Sequence, residues 1–111
     1  MNVASLDLCR ELYGLSRWED TDFQYHRGLD DEWHSGYQKR GYPAYDLGYL
    51  LRKLPRLDSY NDSWSLARWS DEWIMEHGDI DGDVTASNSE DAAAKLTIGL
   101  FNKGILKRKA A

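Results

Sequence analysis

The sequence predicts an α+β fold, a small antiparallel sheet of about three strands with three helices packed mainly on one face. Three observations lead there. Apolar residues recur with helical spacing in three separated segments, each with its own start or stop residue. Between those segments lie short stretches in which large apolar side chains alternate with polar ones, the period of a half-buried strand. At 111 residues the chain suits a single domain over 1–111, with no room for a second independent core.

The elements follow in order. A first helix is expected over 5–14, with Ser5 as N-cap, Asp7 favourable in the first turn, and Leu8/Leu12 and Cys9/Tyr13 paired one turn apart. Gly14 followed by Leu15 predicts its stop, because a glycine in the left-handed region with an apolar residue behind it closes helices. Phe23 and Tyr25 alternate with polar neighbours and predict a strand over 22–27. From 28 to 44 the chain is rich in Gly, Tyr and charge without a sustained period, which predicts a long loop.

A second helix is expected over 46–54. Asp46 is its N-cap, Leu47, Leu50, Leu51 and Leu54 form one face, Arg52 and Lys53 lie in the last turn, and Pro55 stops it. Tyr45 and Leu50 have the spacing of a hydrophobic staple across the cap. A hairpin is expected over 62–77, with Trp64 and Leu66 in one arm, Trp73 and Met75 in the other, and a break at Ser70-Asp71. Residues 78–87 read as an acidic turn with a short strand at Val84 and Thr85. A third helix is expected over 88–103, capped by Asn88, with Glu90 and Asp91 at its positive end and Ala93, Leu96, Ile98, Leu100 and Phe101 on its broad apolar face. Lys103-Gly104-Ile105 supplies a second glycine stop, and 106–111 is a solvated basic tail.

Composition narrows the function classes. The chain has 41% hydrophobic, 13% aromatic and 30% charged residues, enough apolar material for a core. Its formal net charge of −5 argues against broad electrostatic attachment to nucleic acid or an anionic membrane and favours a basic partner. There is no apolar run of bilayer length and no leader-like N-terminal stretch, so the expected location is the cytoplasm, in host cells if the chain is phage-encoded. Cys9 is the single cysteine; it predicts no disulfide and no cysteine-metal cluster, and its apolar surroundings favour core packing over nucleophilic chemistry.

Three segments carry a resemblance: Leu8-Cys-Arg-Glu-Leu-Tyr13 with Trp18 after it, Pro43-Ala-Tyr-Asp-Leu-Gly-Tyr-Leu-Leu-Arg-Lys-Leu-Pro55, and Ser89-Glu-Asp-Ala-Ala-Ala-Lys-Leu96 running on to Phe101 and Lys103-Gly-Ile105. Together they resemble small proteins of unknown function encoded by phages, prophages and related mobile elements. The last segment is the most specific, since such proteins commonly end in a helix opened by a Thr-Pro-Glu-Asp-like cap and closed by Gly-Ile or Gly-Val. Here Asn88-Ser89 stands where Thr-Pro is usual. The resemblance implies an α+β scaffold and a phage-like origin, and it transfers no catalytic residues.

Two constellations are candidates for binding. In Trp33-His-Ser-Gly-Tyr37-Gln-Lys39-Arg40-Gly-Tyr42, rings alternate with cations as they do on stacking or protein-binding surfaces, and Asp30, Asp31 and Glu32 precede them. In 79–90, Asp79, Asp81, Asp83, Thr85, Ser87 and Glu90 occupy the oxygen-ligand positions of an EF-hand-like calcium loop. That loop has Val84 where the sharp turn wants glycine, follows a segment that reads as strand, and shares Glu90 with a capping-box spacing from Ser87. A solvated turn leading into a capped helix accounts for the same residues.

His26, His34 and His77 show no sequence-local metal spacing, and no nucleophile elbow, phosphate loop or dinucleotide fingerprint is present, which removes the usual support for an enzyme or a bound cofactor. The expected function is therefore a non-catalytic accessory protein of phage type that binds another protein, presenting acidic residues to a basic groove of a host nucleic-acid-handling or defence factor. A calcium module at Asp79 to Glu90 and an unrecognised enzyme are the alternatives.

Overall fold

The computed structural model describes residues 2–27, 29, 30, 32–36, 41–54, 64–78, 80 and 82–108. Its elements run α1 (Leu6–Ser16), β1 (Phe23–Arg27), β2 (Trp33–Gly36), β3 (Tyr42–Ala44), α2 (Leu47–Lys53), β4 (Trp64–Trp69), β5 (Glu72–His77), β6 (Val84–Ala86) and α3 (Ser89–Asn102). The fold is α+β. It departs from the expected single sheet: the strands form two three-stranded antiparallel sheets, ordered β2-β1-β3 and β4-β5-β6.

The first sheet exists because the stretch expected to be a loop over 28–44 contains two short strands. Neither has a legible period, since Ser35, Gly36 and Pro43 interrupt any alternation. Both are held by β1 in the middle, which pairs Tyr25 with Ser35 on one side and with Tyr42 on the other. Gly41 makes the approach to β3 possible: its φ is +129°, and a Cβ there would lie 1.9 Å from the Tyr25 carbonyl oxygen. Only glycine combines that conformation with that contact.

α1 runs through Gly14 and ends at Arg17, which takes the left-handed conformation with φ 59° and donates its N–H to the Tyr13 carbonyl at 2.8 Å. The helix is longer than its glycine predicts because the residues after Gly14 have burial to gain. Leu15 packs against the core, and Ser16 is fully buried, its Oγ accepting the Trp18 N–H at 3.1 Å. One glycine in an exposed helical position costs only about 1 kcal/mol, which that burial exceeds. Ser5 stands at the N-cap, but its side chain makes no cap bond.

α2 begins at Asp46, whose Oδ1 accepts the Tyr49 N–H at 3.0 Å. Tyr45 and Leu50, the staple pair, are both fully buried. α3 begins at Asn88, whose Oδ1 accepts the Asp91 N–H at 2.7 Å, so the cap pair is Asn88 with Asp91 and not Ser87 with Glu90. It closes in a Schellman geometry, with Gly104 at φ 76°, Ile105 N–H to Leu100 O at 2.9 Å and Gly104 N–H to Phe101 O at 3.0 Å. The β4–β5 hairpin turns through Ser70-Asp71 with Trp69 paired to Glu72, and β6 adds Val84 beside Met75.

α3 lies at the centre and contacts α1, α2, β5 and β6. Its fully buried Leu96 and Leu100 meet Leu12, Leu50 and Met75 in one core cluster; each such side chain contributes about 1.5–3 kcal/mol by leaving water. An aromatic layer covers one side, where Trp18 packs on Phe101 at 5.3 Å between ring centroids and Tyr45 stacks on Tyr49 at 5.3 Å. Their polar atoms are satisfied: Tyr45 donates to the Trp18 carbonyl at 2.8 Å, and Tyr49 donates to Asp20. Cys9 is fully buried, and burial pushes its thiol up to about 11, so it stays protonated and packs as an apolar residue. No described helix is long and apolar enough to cross a membrane.

Candidate functional site

The β1–β2 hairpin gathers the candidate residues, and strand alternation sorts them into two groups. Register places Trp33 opposite Arg27 and Tyr42 opposite Tyr25. Tyr25 and Arg27 share one face of β1, so Trp33 and Tyr42 flank the central strand on that same face. Their ring centroids are 5.8 Å apart with a tilt of 54°. The Arg27 guanidinium carbon lies 6.0 Å from the Trp33 ring, and that of Arg10, reaching across from α1, lies 4.8 Å from the Tyr42 ring.

The result is a four-member ladder, Arg10, Tyr42, Trp33, Arg27, in which each cation faces the electron-rich side of a ring. Tyr25, the register partner of Tyr42, donates its hydroxyl to the Ala4 carbonyl at 2.6 Å, and burial pushes its ionisation up to about 12. Trp33 remains 37% exposed, and Leu29 in the adjoining turn is fully exposed.

The opposite face carries the other group. His26 and His34 are register partners, with ring centroids 6.0 Å apart. His34 Nε2 lies 3.0 Å from each carboxylate oxygen of Asp30, and the Asp30 Oδ1 also accepts the Glu32 N–H at 3.2 Å. The His34 hydrogen bond holds the Asp30 carboxyl below its usual range. One ligand atom from each of Asp30, Glu32 and His34 falls within 4.8 Å of the other two. His26 Nδ1 is buried and has no hydrogen-bond partner.

The residues expected from sequence are thus divided. Trp33 and Tyr42 are brought together, and so are Asp30 and Glu32, whose closeness in sequence becomes convergence only because the hairpin turn bends around His34. Asp31, Tyr37, Lys39 and Arg40 lie outside the described residues. Arg10, Arg27, His26 and His34 were not selected by sequence. The histidines become partners only in the strand register, which no spacing rule along the chain displays.

The EF-hand-like segment takes a different course. Asp79 and Asp81 lie outside the described residues; Val84, at the position that needs a tight turn, is in β6, and the positive φ falls on Gly82 at 84°. Asp83 shares a hydrogen bond with Glu76, which raises the Glu76 carboxyl above its ordinary value, while Glu90 sits in the first turn of α3. Beside them is an open cleft of about 410 Å³ between the ends of β4 and β5 and the turn that follows, with Trp64, Glu76, His77 and Asp83 among its lining.

Comparison of the chain with protein families, curated proteins and solved structures gives no match.

Proposed function

We propose that this is a non-catalytic accessory protein of phage type that works by binding another protein, with the aromatic face of the β2-β1-β3 sheet as its contact surface. The observation that carries this is the prebuilt Arg10, Tyr42, Trp33, Arg27 ladder beside the fully exposed Leu29. Trp, Tyr and Arg are the residue types that concentrate binding energy at protein interfaces. Rings already held by neighbours lose little conformational freedom on association. Of the three large hydrophobic side chains most exposed among the described residues, Leu29 and Trp33 belong to this one hairpin.

The net charge of −5, with Asp30 and Glu32 exposed on the opposite face of the same hairpin, favours a partner with a basic surface. A host factor that handles nucleic acid or acts in defence is the partner class with that chemistry. The test compares the immobilised wild-type chain with Trp33→Ala and Leu29→Ser variants in host lysate at low salt. A discrete protein retained by the wild type and lost from Trp33→Ala supports the proposal. Retention that is indifferent to both substitutions, or absent from all three, rejects it.

A further inference from the structure

We propose that the β1–β2 hairpin carries a zinc-type divalent cation site formed by His34, Asp30 and Glu32, which His26 completes by turning in from the neighbouring strand. The ligand set is right for such an ion. Imidazole nitrogen with carboxylate oxygen is the borderline combination that Zn²⁺ and its first-row neighbours take, whereas Ca²⁺ and Mg²⁺ prefer oxygen throughout.

The distances fit as well. Ligand atoms at about 2.0–2.2 Å from one ion cannot be more than about 4.4 Å apart. The Asp30, Glu32 and His34 atoms lie within 4.8 Å of one another, so closing to the spacing of about 3.3–3.6 Å around a tetrahedral ion takes about an ångström from exposed side chains.

His26 is an independent observation, because it comes from the neighbouring strand and is no part of the acidic turn. Two imidazoles on one ion have ring centres about 3.2 Å from the metal, hence about 5–6.4 Å apart depending on the angle between them. The His26 and His34 centroids are 6.0 Å apart, and the His26 nitrogens stand outside the 4.8 Å group, so its ring moves inward as the ion binds. Its Nδ1, buried and lacking a hydrogen-bond partner, is a polar atom whose removal from water nothing in the fold offsets. Bonding to a cation supplies that missing interaction. The antiparallel register fixes the pair, since His26 and His34 are directly opposite, and the Asp30 carboxylate, bonded to His34 and to the Glu32 N–H, holds the turn in the ligating shape.

The site is separate from the proposed protein-binding ladder, which uses the other face of the same strands. The experiment strips the full chain with a chelator and titrates it with Zn²⁺ alone by calorimetry, then with Co²⁺ while recording visible absorption. The expected result is one ion per chain, with a Co²⁺ spectrum of low-coordinate intensity. Affinity should fall at least tenfold in His34→Ala and in His26→Ala, and Ca²⁺ in large excess should not displace the ion. Circular dichroism of each variant verifies that the fold is kept. For any variant that unfolds, the nitrogen chemical shifts of the His26 and His34 rings in the wild-type chain replace it, and both should move on adding Zn²⁺. Binding of other stoichiometry, binding unchanged in both histidine variants, or ring nitrogens that do not respond would each overturn the proposal.

Discussion

The Asp91 carboxylate lies 2.7 Å from the backbone nitrogen of Ser5 and ties the starts of two helices together. Asp91 occupies the third position of α3, and its own N–H is held by Asn88 at 2.7 Å. In a capping box the third-position carboxylate turns back to its own helix; here it serves the first residue before α1. It thus satisfies an exposed donor at one helix start while lying at the positive end of another.

Asp91→Ala should therefore destabilise the chain by about 1–2 kcal/mol, more than the exposure of the residue implies. Asn88→Ala should cost about 1 kcal/mol. Because Asn88 and Asp91 share one hydrogen-bond network, the double variant should lose less than the sum of the two. Urea denaturation of the three variants measures all of this, and strict additivity would show that the network is not coupled.

Tyr49→Phe keeps the ring that stacks on Tyr45 and removes the hydroxyl that donates to Asp20. That hydrogen bond holds the Asp20 carboxyl below its ordinary range, with Lys53 Nζ at 3.3 Å assisting. A carboxyl whose folded value is lowered contributes stability that is complete above its unfolded value of about 3.9 and fades as pH falls through the folded one. The variant should be less stable by about 1 kcal/mol or less at neutral pH. The gap should close on acidification below about pH 4, in thermal melts recorded across that range.

Three positions invite stabilisation. Gly14 lies within α1 with open space around it, so Gly14→Ala should add about 0.5–1 kcal/mol. Arg17 and Ser70 both have φ 59°, and glycine at either should add about 1 kcal/mol by removing the left-handed penalty. Raised melting temperatures verify each; a fall on Arg17→Gly would mean that the Arg17 contact with the Tyr13 ring, at 5.3 Å, outweighs the backbone term.

Gly41→Ala should act in the opposite sense. A Cβ at 1.9 Å from the Tyr25 carbonyl cannot be accommodated without separating β3 from β1, at a cost of about 3 kcal/mol or more. Amide exchange should then rise in β1 and β3 while β4 and β5 keep their protection, because the two sheets are distinct.

The α+β class, the Asp46 and Asn88 caps, the Gly104 stop and the turn at Ser70-Asp71 were all legible along the chain. Each depends on neighbours within one turn or one hairpin, so composition and spacing carry the information. What tertiary structure alone decided is of another kind: the split into two sheets, the strands at Trp33–Gly36 and Tyr42–Ala44, Arg10 laid over Tyr42, and His26 opposite His34. Strands of three and four residues gain too little locally to offset the backbone entropy they lose, and form only where a distant partner supplies hydrogen bonds and cover. The candidate binding groups sit on those strands, so the chain names several of them but only the register of β1 with its two neighbours says which ones meet.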